Sequence, residues 1–161
     1  MTFPVLADII AEETNGDYSF EHIEVDGYNR LYLKKNEQVI MYDMFQRPLK
    51  EVYMLNMQEF KGDILIIGAG VGFCIFPIKD NPNITSITVV DNDQTVINML
   101  SPYLPNVTFE VGDVETYIPS QNYDTIFLDA WQTSNEVIKH FCERRYVEYK
   151  NDYGFINFLQ F

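Results

Sequence analysis

Five short runs constrain this chain more than anything else in it: ILIIG at 64–68, SITVVD at 86–91, VTFEVGD at 107–113, YDTIFLDAW at 123–131 and GFINFLQF at 154–161. Each is rich in β-branched or aromatic residues and nearly free of charge, the signature of a strand covered on both faces. The segments between them have the length of crossovers, which parallel neighbours require. The expectation is an α/β fold, a doubly wound and mostly parallel sheet in the usual order 3-2-1-4-5, truncated after strand 5. Pro77 and Pro102 fall in the first two crossovers, so their helices should be abbreviated or bent. The fourth crossover reads as the best helix. Thr133 and Glu136 form its capping box, Val137, Ile138, Phe141, Cys142 and Tyr149 share a face, and Arg144, Arg145 and Lys150 complement its end.

Upstream the pattern differs. Thr2, Phe3 and Pro4 read as a helix start, and Val5, Leu6, Ile9 and Ile10 as one helical face that ends at Asn15-Gly16-Asp17. Alternating runs around Phe20–Val25, Leu31–Leu33 and Val39–Tyr42, joined at Asp26-Gly27 and Asn36, predict a small antiparallel β unit. A helix restarted by Pro48, with Leu49, Val52, Tyr53 and Phe60 facing a core, should stop at Gly62. The length fits a single domain over 1–161, with a helix and β unit in 1–45 and the parallel sheet in 46–161.

Charge narrows the partners. With 11 Lys plus Arg against 24 Asp plus Glu the formal charge is −13, and between Lys79 and Lys139 lie nine acids and no base. Nucleic-acid affinity depends on Lys and Arg displacing condensed cations, so nucleic acid is not expected, and neutral or cationic ligands are favoured. No apolar run reaches bilayer length and no signal segment is evident, so a cytoplasmic protein without a membrane partner is expected. Cys74 and Cys142 read as buried thiols, and two His with two Cys at these spacings do not make a metal site.

In such a sheet ligands bind beyond the carboxyl ends of the strands. The first strand is followed by Gly68-Ala69-Gly70-Val71-Gly72, a turn that lets backbone approach a ligand. Asp91, Asn92 and Asp93 follow the second strand, where an acid can take both hydroxyls of a ribose; Gly112-Asp113 follows the third and Asp129-Ala130-Trp131 the fourth. Phe73 stands where a dinucleotide fingerprint has its third glycine, and no nearby base neutralises a diphosphate. S-adenosylmethionine, a nucleoside without phosphate and with a positive sulfonium, suits such an acidic cleft.

GAGVG, VVDND, FEVGDV and YDTIFLDAW, with QVIMYDMFQRP ahead of them, resemble the successive motifs of class I S-adenosylmethionine-dependent methyltransferases, in particular their spermidine-synthase-like branch. The resemblance implies a Rossmann-like fold binding S-adenosylmethionine or its decarboxylated form. It implies that Gly68, Ala69, Gly70 and Gly72 line the methionine and ribose portion, that Asp91 with Asn92 holds the ribose, and that Asp113 with Val114 contacts the adenine. Asp129 then faces the reacting centre as the catalytic carboxylate, orienting an amine nucleophile and accepting its proton. Trp131 as an acceptor wall and Tyr42 with Asp43 closing the cleft complete the expected substrate side. The family's second carboxylate after the fourth strand is replaced here by Ala130-Trp131-Gln132-Thr133. Methyl transfer to a small neutral or cationic acceptor is the leading expectation; aminopropyl transfer to a polyamine and a non-catalytic cofactor-binding scaffold are the alternatives. The uncharged last strand, read as an edge over Phe155–Phe161, predicts a homo-oligomer.

Overall fold

The computed structural model describes residues 4–43, 57–129 and 144–158. Two sheets organise them. The first is antiparallel, with strands β1 (Glu13–Asn15), β2 (Tyr18–Val25), β3 (Tyr28–Lys35) and β4 (Gln38–Tyr42) in sequential order. Its hairpins turn at Asp26-Gly27 and Asn36-Glu37, all four residues in the left-handed region, as tight antiparallel connections demand. The second sheet contains β5 (Gly62–Ile67), β6 (Ile84–Asp91), β7 (Thr108–Val111), β8 (Tyr123–Leu128) and β9 (Lys150–Phe158). Its order is β7-β6-β5-β8-β9 with every pairing parallel, which is the expected 3-2-1-4-5 arrangement.

The uncharged runs are explained by two buried faces. Ile64, Ile66, Val89 and Phe127 point to one side and join Leu6, Ile10, Tyr18, Phe20, Leu31 and Leu33 of the N-terminal segment in a single core. Leu65, Ile67, Val90, Ile126 and Leu128 point to the other side and pack with Tyr123 and Tyr146. Each fully buried aliphatic side chain contributes about 1.5–3 kcal/mol. The antiparallel unit is thus fused to the parallel sheet through apolar contact, and Ala11 N donates to the Tyr103 hydroxyl at 3.1 Å across the same junction.

Several expectations are corrected. The N-terminal helix is a single turn, Leu6–Asp8; Leu6 and Ile10 are buried but Ile9 is exposed, and the chain then enters β1 where the helix was expected to end. Pairing with β2 satisfies backbone groups that a short helix would have left open. The first crossover forms turns and no helix, whereas the second is abbreviated as expected, α1 (Gln94–Leu100) giving way to a single turn at Ser101–Tyr103 that contains Pro102. Gly62 opens β5 rather than closing a helix. The fifth strand begins at Lys150, so Lys150 pairs with Tyr123 instead of ending a helix. A register shift between Tyr123 and Thr125 accommodates Gly154, where an added Cβ would lie 2.8 Å from the Asp124 carbonyl oxygen. The helix expected from Pro48, the capping box at Thr133 and Glu136, and the residues Val137, Ile138, Phe141 and Cys142 lie outside the described residues.

Candidate functional site

The carboxyl ends of β5, β6, β7 and β8 meet at one side of the parallel sheet, and backbone hydrogen bonds fix their loops. Gly68 N donates to Val90 O at 2.7 Å and Asp129 N to Ile67 O at 2.8 Å, extending the sheet beyond its strands on both sides of β5. Gly68, Gly70 and Gly72 all have positive φ. At Gly70 a Cβ would also stand 2.0 Å from Met41 Sδ, so this turn is shaped by φ and by the side chain lying over it.

Asp91 is the hub of this end of the molecule. Its Oδ2 accepts from Ala69 N at 2.8 Å and its Oδ1 from Asp93 N at 2.9 Å, so one carboxylate ties the glycine turn to the start of α1. Asp93 caps α1, its Oδ1 accepting from Thr95 N at 2.9 Å, while its Oδ2 accepts from the Tyr18 hydroxyl. Burial pushes Asp93 up, yet the Tyr18 hydroxyl, the N–H groups of Thr95 and Val96, and the charge of Lys35 outweigh it and hold the carboxyl below its usual range. On the far side Asp113 makes its own turn, Oδ1 accepting from Glu115 N at 2.7 Å. Tyr146 braces that turn by donating its hydroxyl to Val114 O at 2.8 Å.

Between these loops and the antiparallel unit lies a cleft of about 590 Å³. Gly68, Gly70, Asp91, Asn92, Asp113, Val114 and Asp129 line it, so those expected site residues are brought together. Ala69 and Gly72 are not on its wall: Ala69 is buried beneath the turn and Gly72 faces Phe76 and Leu100. Tyr42 and Asp43 are not on it either. Tyr42 stacks on Tyr32 with ring centroids 5.3 Å apart, on the face of the hairpin away from Leu33 and Met41. Asp43 is 1% exposed, and burial pushes its carboxyl up against the opposing pull of the Leu31 N–H, Arg30 and His22. Trp131 lies outside the described residues.

The other wall was not anticipated. Tyr18, Leu33, Lys35, Ile40 and Met41 reach the cleft from β2, β3 and β4; on the parallel-sheet side Glu115 joins Asp93 and Gly112, two residues of the expected strand ends. Nothing local marks Tyr18 or Lys35 as site residues; only the fold carries them there. The cleft therefore holds five carboxylates, of Asp91, Asp93, Asp113, Glu115 and Asp129, and one described cation, Lys35. That lysine comes from β3, outside the base-free interval between Lys79 and Lys139. Beneath the floor, burial pushes the Cys74 thiol up, and the neighbouring Asp129 carboxylate adds to the effect. Among the described residues no group of three or more His, Cys, Asp or Glu is placed to hold a metal, and no helix is long and apolar enough to cross a membrane.

Three comparisons place this geometry among known proteins. Putrescine N-methyltransferase 2 of Nicotiana attenuata is 33% identical over 79 residues, spanning 42% of this chain and 21% of the relative; the chain thus covers about a fifth of the length of the curated relatives it matches. The solved DhpI-SAM-HEP complex superposes with a TM-score of 0.57 at 18% identity over 71% of this chain and 54% of that one. The N-methyltransferase NodS from Bradyrhizobium japonicum WM9 superposes with a TM-score of 0.55 at 15% identity over 71% of this chain and 70% of that one. At such identities the two structures establish the Rossmann-like methyltransferase fold. The family model of the spermine/spermidine synthase domain matches residues 33–149, from the end of β3 to the residue before β9. With most of its length inside that match, the chain belongs to the spermine/spermidine synthase domain family.

Proposed function

We propose that this protein is an S-adenosylmethionine-dependent methyltransferase acting on a small amine of the putrescine type. The observation that carries the reading is the cleft itself, in which the glycine turn, Asp91, the Asp113 turn and Asp129 converge with five carboxylates and, among the described residues, the single base Lys35. The residues fit an S-adenosyl compound. Gly68 and Gly70 bring bare backbone to the cleft wall, Asp91 keeps a free lone pair on each oxygen beyond its bonds to Ala69 and Asp93, and Val114 supplies an apolar face beside Asp113.

When bound, S-adenosylmethionine supplies an electrophilic methyl group on a positive sulfonium. Gly68 and Gly70 allow its approach, Asp91 with Asn92 takes the ribose, and Asp113 with Val114 takes the adenine. Asp129 stands at the end of β8 beside the glycine turn, held by its N–H bond to Ile67 O. Its carboxylate accepts a hydrogen bond from the neutral acceptor amine, aims the nitrogen lone pair, and receives the proton that nitrogen loses. The surrounding acids draw a cationic acceptor to the cleft and disfavour an anionic one.

Relatives named putrescine N-methyltransferase support methyl transfer, and the family match supports a second reading, aminopropyl transfer from the decarboxylated cofactor. The chain is read as one domain working in the cytoplasm, without nucleic acid or membrane, and as a homo-oligomer through the outer edge of β9. Mass spectrometry after incubation with putrescine and each sulfonium compound tests the reaction. N-methylputrescine with S-adenosylhomocysteine supports methyl transfer; methylthioadenosine from the decarboxylated compound as the sole product overturns it.

A further inference from the structure

Lys35 is the one base among the described residues on the cleft wall, and its place is set by two groups rather than by its own flexible stem. Its Nζ lies 4.7 Å from the centre of the Tyr18 ring and 4.0 Å from Asp93 Oδ2. Tyr18 is itself fixed, 7% exposed, paired with Lys35 across β2 and β3, and bonded through its hydroxyl to Asp93. Asp93 in turn is joined by its N–H to Asp91 Oδ1. A continuous chain of contacts thus runs from Lys35 to the carboxylate at the end of β6. Lys35 keeps nearly half of its side-chain surface exposed, and its ammonium carries three donors.

A vicinal diol has needs that Asp91 alone does not meet. Both hydroxyls can donate to the carboxylate, but their oxygens also accept, and the neighbouring side chains Asp91 and Asp93 are acceptors only when ionised. A cation beside them adds a charged donor to the neutral amide of Asn92 and offsets the charge of two adjacent carboxylates. We propose that Lys35, held by Tyr18 and Asp93, is a ligand-binding residue that donates to the ribose diol of the nucleoside, making the ribose end of the cleft a composite of the N-terminal β unit and the parallel sheet. This rests on the cofactor reading above and extends it to a residue that no strand-end motif contains. It also gives the N-terminal unit a part in binding besides covering the core.

The test is calorimetric titration of the full chain with methylthioadenosine and with its 2′-deoxy analogue, for wild type, Lys35→Met, which keeps the apolar stem, and Tyr18→Phe, which keeps the ring. Lys35→Met is expected to weaken methylthioadenosine roughly tenfold, as loss of a charged hydrogen bond does, and to weaken the deoxy analogue much less. Tyr18→Phe should give a smaller loss in the same pattern, because Lys35 loses an anchor and not its charge. Equal weakening of both ligands by Lys35→Met, or no weakening of either, overturns the inference while wild-type binding stands. Failure of wild type to bind either nucleoside instead overturns the cofactor reading beneath it. Should Lys35→Met not fold, Lys35→Gln carries the same comparison.

Discussion

Replacing Asp91 by Ala removes more than a ligand contact. In the free protein its carboxylate accepts Ala69 N–H at 2.8 Å and Asp93 N–H at 2.9 Å. Hydrogen bonds to a charged acceptor contribute about 1.5–3 kcal/mol each, the upper end where the orphaned donor is buried. Ala69 is 3% exposed, so its N–H is left without a partner, whereas Asp93 lies nearer the surface and water replaces part of its loss. The sum is a destabilisation of about 2–4 kcal/mol, a fall in melting temperature of roughly 5–15 °C for a domain of this size. Binding should weaken further, by roughly ten- to a hundredfold at a temperature where the variant is folded, as the ribose loses its acceptor. Chemical denaturation read by circular dichroism gives the first number and titration with S-adenosylhomocysteine the second. A variant within about 0.5 kcal/mol of wild type, the range of an ordinary surface change, would refute the structural half. Unchanged affinity would refute the ribose half.

Asp129→Asn should leave cofactor affinity nearly unchanged while lowering turnover with an amine by about 10²- to 10⁴-fold, measured as S-adenosylhomocysteine release. Asp43 carries the opposite sign to most carboxylates: burial raises its folded-state pKa, so its contribution is most favourable at low pH and is lost as pH rises from the unfolded value near 3.9 through the folded one. Asp43→Asn should therefore be more stable than wild type at neutral pH in urea melts, with the gap closing towards about pH 4. Self-association through β9 should appear in light scattering as a species heavier than the 18.9 kDa chain; a monomer with fast amide exchange along β9 counts against it.

How much of this was legible depended on how local each signal was. The runs 64–67, 87–90 and 125–128 could be read as parallel strands because both faces are buried, leaving no room for charge, and their strand ends then followed from the fold's geometry. Lys150, Asn151 and Asp152 hid the start of β9. They are polar because they sit at the amino end of the sheet, where Asn151 Nδ2 donates to Asp124 Oδ1 at 2.8 Å. At the N-terminus, Val5, Leu6, Ile9 and Ile10 carry helical spacing for barely more than one turn, too little to outweigh the pairing of Glu13–Asn15 with β2. Tyr18 and Asp93 are 75 residues apart, and Lys35 joins them only through tertiary packing, so no spacing rule could place them in the cleft. Asp43 misled for a related reason: a polar residue after a strand suggests a loop, but this one is inside the protein.

Titration of S-adenosylhomocysteine into the purified chain by calorimetry tests the central claim most directly, because every assigned role depends on a nucleoside occupying the cleft between the glycine turn, Asp91 and Asp113. The expected result is one site with a dissociation constant of micromolar order, weakened in Asp91→Ala and retained in Asp129→Asn. No binding by folded wild-type protein, or binding that Asp91→Ala leaves unchanged, would contradict it.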